Sequence, residues 1–250
     1  MKMYNIPRID GAPDWSAVSV LAVDTILWEP DCGIRMTQQL CYDDKALYVR
    51  QQAWESAIRA EYSTPLSPVH EDSCMEFFFA LDADERYFNF EINPNGCIEL
   101  GFGPDRKNRV RLCHKAEQET FRPCCVRTSG GWAAEYRLPL DFFRLFYPDF
   151  RLVPGIRLRG NCYKCGDRTE HPHFLAWNPV HTPTPDFHRP EFLGEMIHVL
   201  QFAFSRNGKE CQWNKEQYMR KSIHCSITRR IASCCTRLMR HLHGIACLRN

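Results

Sequence analysis

Residues 87–93 carry side chains whose types and spacing suit the recognition of a polar ligand. Phe88, Phe90 and Ile92 alternate with polar residues, so a strand here has one apolar and one polar face. The polar face is formed by Tyr87, Asn89, Glu91 and Asn93. Amides and carboxylates make paired hydrogen bonds, and aromatic faces pack on apolar rings. This combination suits sugar hydroxyls and pyranose rings. The alternative is the solvated side of a sheet.

The acidic residues offer little for hydrolysis. Asp72 and Glu76 are four residues apart, which on a strand places them about 13 Å apart. Glycoside hydrolases hold their two carboxyl groups about 5–9.5 Å apart. Glu91 and Glu135 could lie closer, but we expect both to hydrogen-bond to a ligand or to neighbouring strands. Phosphate-binding and dinucleotide-binding glycine motifs are missing from the sequence.

The pair Cys162-x-x-Cys165 has the spacing of a metal-binding motif. On a strand, however, residues three apart face opposite sides, which prevents chelation of one ion. We therefore expect Cys162 to pack as a small hydrophobic residue and Cys165 to end the strand.

Several strands are needed to position these residues. The alternation of apolar and polar residues predicts strands near 47–54, 87–93, 97–102, 132–138 and 158–163, and 75–81 is an apolar run of strand length. A short helix is expected at 140–146, after Pro139. Short strands separated by turns rich in proline and glycine predict an all-β protein, an antiparallel β-sandwich.

Composition sets the class of protein. The chain has 250 residues, of which 44% are hydrophobic and 25% charged, as in globular proteins. No apolar run is long enough for a transmembrane helix, and the first residues lack the apolar stretch of a signal peptide. We therefore expect a cytoplasmic protein whose 14 cysteines are mostly reduced, with an extracellular location as the alternative.

The last 50 residues differ from the rest. Residues 201–250 contain ten lysines and arginines against two acidic residues, and the last proline is Pro190. We place a domain boundary near residue 200, between a domain at 8–199 and a basic tail at 200–250 that is helical or poorly ordered. The helical spacing of Ile223, Ile227, Ile231 and Leu238 predicts a basic amphipathic helix, a C-terminal extension suited to an anionic partner. The alternative is a segment without a selected role.

Several segments together resemble one known family in their expected order. They are residues 10–15, 42–49, 71–78, 88–96, 131–140, 159–165 and 177–194, with sequences such as Phe88-Asn89-Phe90-Glu91-Ile92-Asn93-Pro94-Asn95-Gly96. Over about residues 8–199 the chain resembles the family 9 carbohydrate-binding modules, above all the stand-alone family 9-like proteins. The resemblance implies a jelly-roll-like β-sandwich that binds glycans, often at a chain end, between two tryptophans and near structural calcium.

The resemblance carries over to the site only in part. Residues 67–72, where the first tryptophan is expected, contain none. The second aligns with Phe187 or its neighbour His188, and Glu91 stands where the relatives have arginine. Trp54 or Trp177 could supply another aromatic platform. The predicted carbohydrate-binding residues are Trp54, Tyr87, Asn89, Glu91, Asn93, Trp177, Asn178, Phe187 and His188. No cofactor is expected to be required; calcium, if bound, would use Asp43, Asp44 and Asp72.

Three functions remain open at this point. The first is non-catalytic glycan binding, in the context of polysaccharide utilisation, through aromatic stacking and paired hydrogen bonds. The second is a glycan-active hydrolase or an accessory subunit of one. The third is a scaffold without sugar affinity that acts through its basic tail. No specific binding of nucleic acid is expected.

Overall fold

The computed structural model describes residues 1–81, 84–114, 117–152, 156–199 and 245–249. The chain divides into two compact units, 1–200 with 244–250 and 201–243, and every described residue belongs to the first. The predicted amphipathic helix, at 223–242, lies outside the described residues. The described part of the tail is a strand rather than a helix, because Ile245–Arg249 pairs with the otherwise free edge of another strand.

Short strands make up most of the structure. In chain order they are β1 (Met3–Pro7), β2 (Leu21–Val23), β3 (Thr25–Leu27), β4 (Arg35–Tyr42), β5 (Ala46–Trp54), β6 (Cys74–Leu81), β7 (Tyr87–Ile92), β8 (Ile98–Gly103), β9 (Val110–His114), β10 (Cys124–Thr128), β11 (Gly131–Pro139), β12 (Arg157–Cys165), β13 (Phe174–Ala176), β14 (Gly194–Val199) and β15 (Ile245–Arg249). Two short helices, α1 (Glu117–Phe121) and α2 (Leu140–Arg144), accompany them. The predicted strands and the helix after Pro139 are thus confirmed.

The strands form two sheets. The large sheet has ten strands in the order β1-β14-β12-β6-β7-β8-β9-β15, with β13 joined to β12 and β3 joined to β13. The small sheet has the order β10-β11-β5-β4-β2. All strand pairs are antiparallel except β1 and β14, in which Met3 lies opposite Glu195. The all-β sandwich predicted from the sequence is confirmed.

The main core lies between the two sheets and is strongly aromatic. Phe88, Phe90 and Ile92 point into it, as their alternation predicts, together with Phe77 and Phe79 of β6. The Phe79 and Phe90 rings are stacked at 6.0 Å, and the Phe90 and Phe121 rings meet edge to face at 5.5 Å. Cys162 is buried in this core, also as predicted.

The opposite, outer face of the large sheet is also covered. A second apolar cluster lies there, in which Phe78, Tyr87 and Tyr163 of the sheet pack against Val69 and Phe187. Strands β6 to β8 are therefore buried on both faces. The polar residues of β7 lie inside the protein, under an added layer of loops, and not on a solvated face.

Local features fit the same architecture. The predicted turn Pro94-Asn95-Gly96 joins β7 to β8, and Gly96 adopts a φ of 74° that favours glycine. The described cysteines Cys32, Cys41, Cys74, Cys97, Cys124, Cys125, Cys162 and Cys165 form no disulfide. Among the described helices, none is long and apolar enough to cross a membrane.

Candidate functional site

Three glutamates form a row across the outer face of the large sheet. Glu76 of β6 lies directly opposite Glu91 of β7, which lies directly opposite Glu99 of β8. All three are buried. Directly opposed side chains on neighbouring strands are close enough to interact, and like charges there are destabilising. The row therefore needs either cations or protons to be stable.

Two arginines supply much of the positive charge. Arg109, just before β9, places Nη2 3.2 Å from Glu99 Oε1 and Nη1 3.9 Å from Glu91 Oε1. Arg111 of β9 places Nε 3.0 Å from Glu99 Oε1. Gly101 makes room for this arrangement, because a Cβ atom there would overlap the Asn89 amide and touch the Arg109 side chain.

Asn89 and His188 complete the network around Glu91. The Asn89 Nδ2 atom donates to Glu91 Oε1 at 3.0 Å. Arg109 Nη1 lies 2.6 Å from His188 Nε2 and 2.9 Å from Nδ1, and since guanidinium only donates, the unprotonated ring nitrogen accepts from it. The Tyr87 hydroxyl lies 2.8 Å from His188 Nδ1 and forms a hydrogen bond with it. Burial, reinforced by Arg109, lowers the pKa of His188 to about 2 and keeps the ring neutral.

Burial favours the protonated form of two of the glutamates. Burial raises the pKa of Glu91 well above its usual value, and the neighbouring carboxylate of Glu99 adds to this shift. Burial likewise raises the pKa of Glu76 to about 8. Its Oε1 accepts a hydrogen bond from the Cys165 thiol at 3.0 Å. Glu76 and Glu91 therefore both favour the protonated form.

A narrow cleft of about 70 Å³ opens onto this network. Its wall includes an aromatic group, in which the Phe187 ring stacks on Tyr163 at 4.1 Å and lies 5.4 Å from the Trp28 ring. The cleft is lined by Trp28, His70, Glu76, Glu91, Arg106, Arg109, Cys165, Asp167, Phe174, Pro185, Asp186, Phe187 and His188. It can accept a ligand that offers hydroxyl groups to carboxylates and guanidinium groups beside an aromatic wall.

The structure brings part of the predicted site to this cleft. Glu91, Phe187 and His188 line it, while Tyr87 and Asn89 hold His188 and Glu91 from behind. Phe187 is only 8% exposed, because Tyr163 covers one of its faces. It is therefore a wall of the cleft more than an open platform, and its role in sugar binding stays a prediction.

Asn93 does not face the cleft as expected. Its Nδ2 atom donates to Asp72 Oδ2 at 2.9 Å and to the Tyr62 carbonyl at 2.7 Å, and its Oδ1 accepts from the Cys97 amide. These partners fix the turn after β7 and use the whole side chain. The expectation that Asn93 contacts the ligand is corrected to a structural role.

Trp177, Asn178 and Trp54 also lie elsewhere. Trp177 is buried in the main core, and Asn178 holds the backbone at Lys2 and Phe192. Trp54 is 40% exposed at one end of the sandwich, in a separate pocket of about 270 Å³ with Glu55 and His171. Sequence spacing could not show that these aromatic residues are distant from the cleft.

The remaining acidic residues have protein partners. Asp43 accepts hydrogen bonds from the Lys45 and Ala46 amides, Asp44 pairs with Arg8, and Asp72 pairs with Arg59. Calcium at these three aspartates stays a prediction. The supposed proximity of Glu91 and Glu135 is wrong, since Glu135 lies on the small sheet, beside Arg50.

Several residues of the cleft were not predicted from the sequence, among them Trp28, His70, Arg106, Arg109 and Asp167. They lie in the connections between strands, whose positions relative to a sheet leave no periodic signal. Glu76 could have been assigned to the outer face from the sequence, because alternation on β6 places it on the same face as Cys74 and Phe78. The apolar residues on both sides of it obscured this alternation.

The comparisons with known proteins concern the fold and the family. The model of carbohydrate-binding family 9 matches residues 9–198. A proposed carbohydrate-binding protein from Bacteroides uniformis ATCC 8492 is 23% identical, with a TM-score of 0.70 over 79% of this chain and 99% of that one. Among curated proteins, no sequence is significantly similar.

Two further structures are family 9 modules from Caldicellulosiruptor kristjanssonii. One, in complex with cellotriose, is 13% identical with a TM-score of 0.57, and the other, in complex with glucose, is 14% identical with a TM-score of 0.55. Each aligns with 85% of this chain and all of its own. Because the family model matches most of the length of this chain, the chain belongs to carbohydrate-binding family 9.

Proposed function

We propose that the cleft beside the glutamate row binds one end of a glycan without cleaving it. The observation that carries this proposal is the convergence of Glu76, Glu91 and Arg109 on a cleft with an aromatic wall. Carboxyl groups and a guanidinium group can make paired hydrogen bonds with neighbouring hydroxyls. The two solved modules with glucose and cellotriose make these sugars the first ligands to test.

The size of the cleft favours a partial insertion of the ligand. At about 70 Å³ it is smaller than the roughly 300–1,000 Å³ of typical small-molecule sites. One edge of a terminal ring can enter, with its hydroxyls directed at Glu91 and Arg109. The rest of the ring then rests near Trp28, Arg106 and Asp186 at the rim.

The protonation states of Glu76 and Glu91 argue against hydrolysis of a bound glycan. Glycosidases need one ionised and one protonated carboxyl group. Burial raises the pKa of both Glu76 and Glu91, the two glutamates of the row that line the cleft. Both therefore favour the same, protonated state. Incubation with a bound oligosaccharide should release no new reducing ends.

Arg106 gives the sharpest test of the binding site. It is exposed at the rim of the cleft, so its removal should leave the fold intact. Arg106→Ala should weaken sugar binding by about 1.5–3 kcal/mol, the contribution of a hydrogen bond to a charged group. Isothermal titration calorimetry with glucose, cellotriose and a wider glycan panel measures this.

Its neighbour offers a matched control. Lys107 is equally exposed and does not line the cleft, so Lys107→Ala should bind sugar like the wild type. Equal loss of affinity in both variants would indicate a general charge effect and contradict the proposed site. Lack of binding to every glycan by the wild type would favour the scaffold function instead.

A further inference from the structure

Two cysteines and a glutamate meet on the outer face of the large sheet. Cys74 begins β6, and Cys165, at the end of β12, lies directly opposite it. Glu76 is two residues after Cys74 and points to the same face. All three side chains are buried, and Glu76 and Cys165 also line the cleft.

Their distances are compatible with one metal ion. The two Sγ atoms and a carboxylate oxygen of Glu76 all lie within 4.8 Å of one another. In a tetrahedral zinc site, Zn–S bonds of about 2.3 Å and Zn–O bonds of about 2.0–2.2 Å place the ligand atoms roughly 3.5–4 Å apart. Small side-chain rotations therefore suffice to bring the three atoms onto one ion.

Glu76 lacks the partner that a buried carboxylate needs. Glu99 has two arginines and Glu91 has Asn89 with Arg109, whereas the hydrogen bond recorded for Glu76 within the described residues comes from the Cys165 thiol. Within the described residues, no lysine, arginine or histidine forms an ion pair with Glu76. A buried carboxyl group without a cationic partner keeps its proton, and a cation from outside can take the place of that proton.

We propose that Cys74, Glu76 and Cys165 bind a thiophilic divalent cation, with Zn²⁺ as the best fit. Thiolates select zinc and similar ions over calcium and magnesium, which prefer oxygen ligands. On binding, both S–H bonds and the carboxyl O–H bond of Glu76 break, two metal–sulfur bonds and one metal–oxygen bond form, and three protons leave to solvent without any change of oxidation state. Because Glu76 and Cys165 line the cleft, water from the cleft can supply a fourth ligand.

A second group of ligand atoms, from His70, Glu91 and Glu99, is less suitable. It is equally compact, but Glu99 is already engaged by Arg109 and Arg111. A cation there would have to displace two arginines. Glu76 belongs both to this site and to the proposed sugar site, but metal binding and sugar binding can be measured separately in the same samples.

Cobalt titration of the full chain tests the proposal. The protein is reduced with a phosphine, freed of metal and titrated with Co²⁺, whose thiolate complexes show charge-transfer absorption in the near ultraviolet. We expect one equivalent of Co²⁺ more in the wild type than in Cys74→Ser, and at least roughly tenfold weaker binding in Glu76→Gln. Zn²⁺ should displace the Co²⁺ and raise the melting temperature of the wild type.

Cys41→Ser is the matched control, because Cys41 is also buried but lies on the small sheet. It should bind Co²⁺ like the wild type. Identical stoichiometry and affinity in the wild type, Cys74→Ser and Glu76→Gln would overturn the proposal, because other cysteines would then be the ligands.

X-ray absorption of the zinc-loaded wild type needs no variant. Two sulfur atoms at about 2.3 Å with oxygen or nitrogen ligands are expected. Four sulfur ligands, or none, would overturn the proposal even if the variants failed to fold.

Discussion

The two faces of the large sheet are both buried, yet the polar groups of β7 lie on only one of them. On β7, Phe88 and Phe90 point into an aromatic core, while Asn89 and Glu91, one residue away, point into a hydrogen-bonded network. The inner face stabilises the fold by removing apolar surface from water. The outer face keeps costly charges, which only specific partners make tolerable. Burial alone therefore does not distinguish core from site, whereas the partners of each side chain do.

The largest effect should come from the inner face. Phe90→Ala removes a ring that contacts Phe79, Phe121 and Phe142, and large-to-small changes of this kind cost about 3–5 kcal/mol. Urea unfolding measures the free-energy change. Val126→Ala, at an exposed position, should change it by less than about 0.5 kcal/mol. A loss below about 1 kcal/mol in Phe90→Ala would show that the inner face does not dominate stability.

A smaller effect, dependent on pH, is expected on the outer face. The pKa of His188 falls from its usual value of 6.5 to about 2 because burial, and then Arg109, disfavour the charged ring. The neutral ring therefore contributes stability above pH 6.5, and this is lost as the pH falls towards 2.

The comparison of the wild type with His188→Gln isolates that contribution. Glu91 titrates in the opposite sense, but it does so in both proteins. From pH 6.5 downwards the wild type should lose roughly 1 kcal/mol per pH unit relative to the variant. Urea unfolding at pH 7, 6 and 5 measures the difference. A constant difference would mean that His188 is not held neutral by the fold.

The smallest effect is expected where an aromatic residue belongs to neither face. Trp54 is exposed at the end of the sandwich, away from the cleft. Trp54→Ala should change stability by no more than about 0.5 kcal/mol and leave sugar affinity unchanged. Calorimetry with the ligand found for the wild type checks this. Loss of binding would move the site to the end of the sandwich.

The sequence predicted the inner face better than the outer one. The alternation along residues 87–93 identifies which side of β7 is apolar, because that pattern is local. The residues that cover the other side of β7 are distant in sequence. They include Phe187 and His188, which lie in a loop more than 60 residues after β7. Asn93 illustrates the consequence. The alternation assigned Asn93 to the correct face of the sheet, but it could not show that Asn93 hydrogen-bonds to Asp72 and Tyr62.

The glutamate row shows a second limit. That Glu76, Glu91 and Glu99 are neighbours depends on the register of three strands, which the sequence does not specify directly. The family resemblance indicated Glu91, Phe187 and His188, and all three line the cleft. Arg109, which the family resemblance did not indicate, was found only from the contacts.

The parallel pairing of β1 with β14 also constrains how the protein is made. Met3 lies opposite Glu195, so about 190 residues must be synthesised before β1 meets its partner. At roughly 5–20 residues per second, translation imposes a wait of about 10–40 seconds. Throughout that interval β1 has none of its β14 hydrogen bonds. β1 can therefore join the large sheet only after β14 has left the ribosome, and until then the edge of β1 that pairs with β14 is open to aggregation.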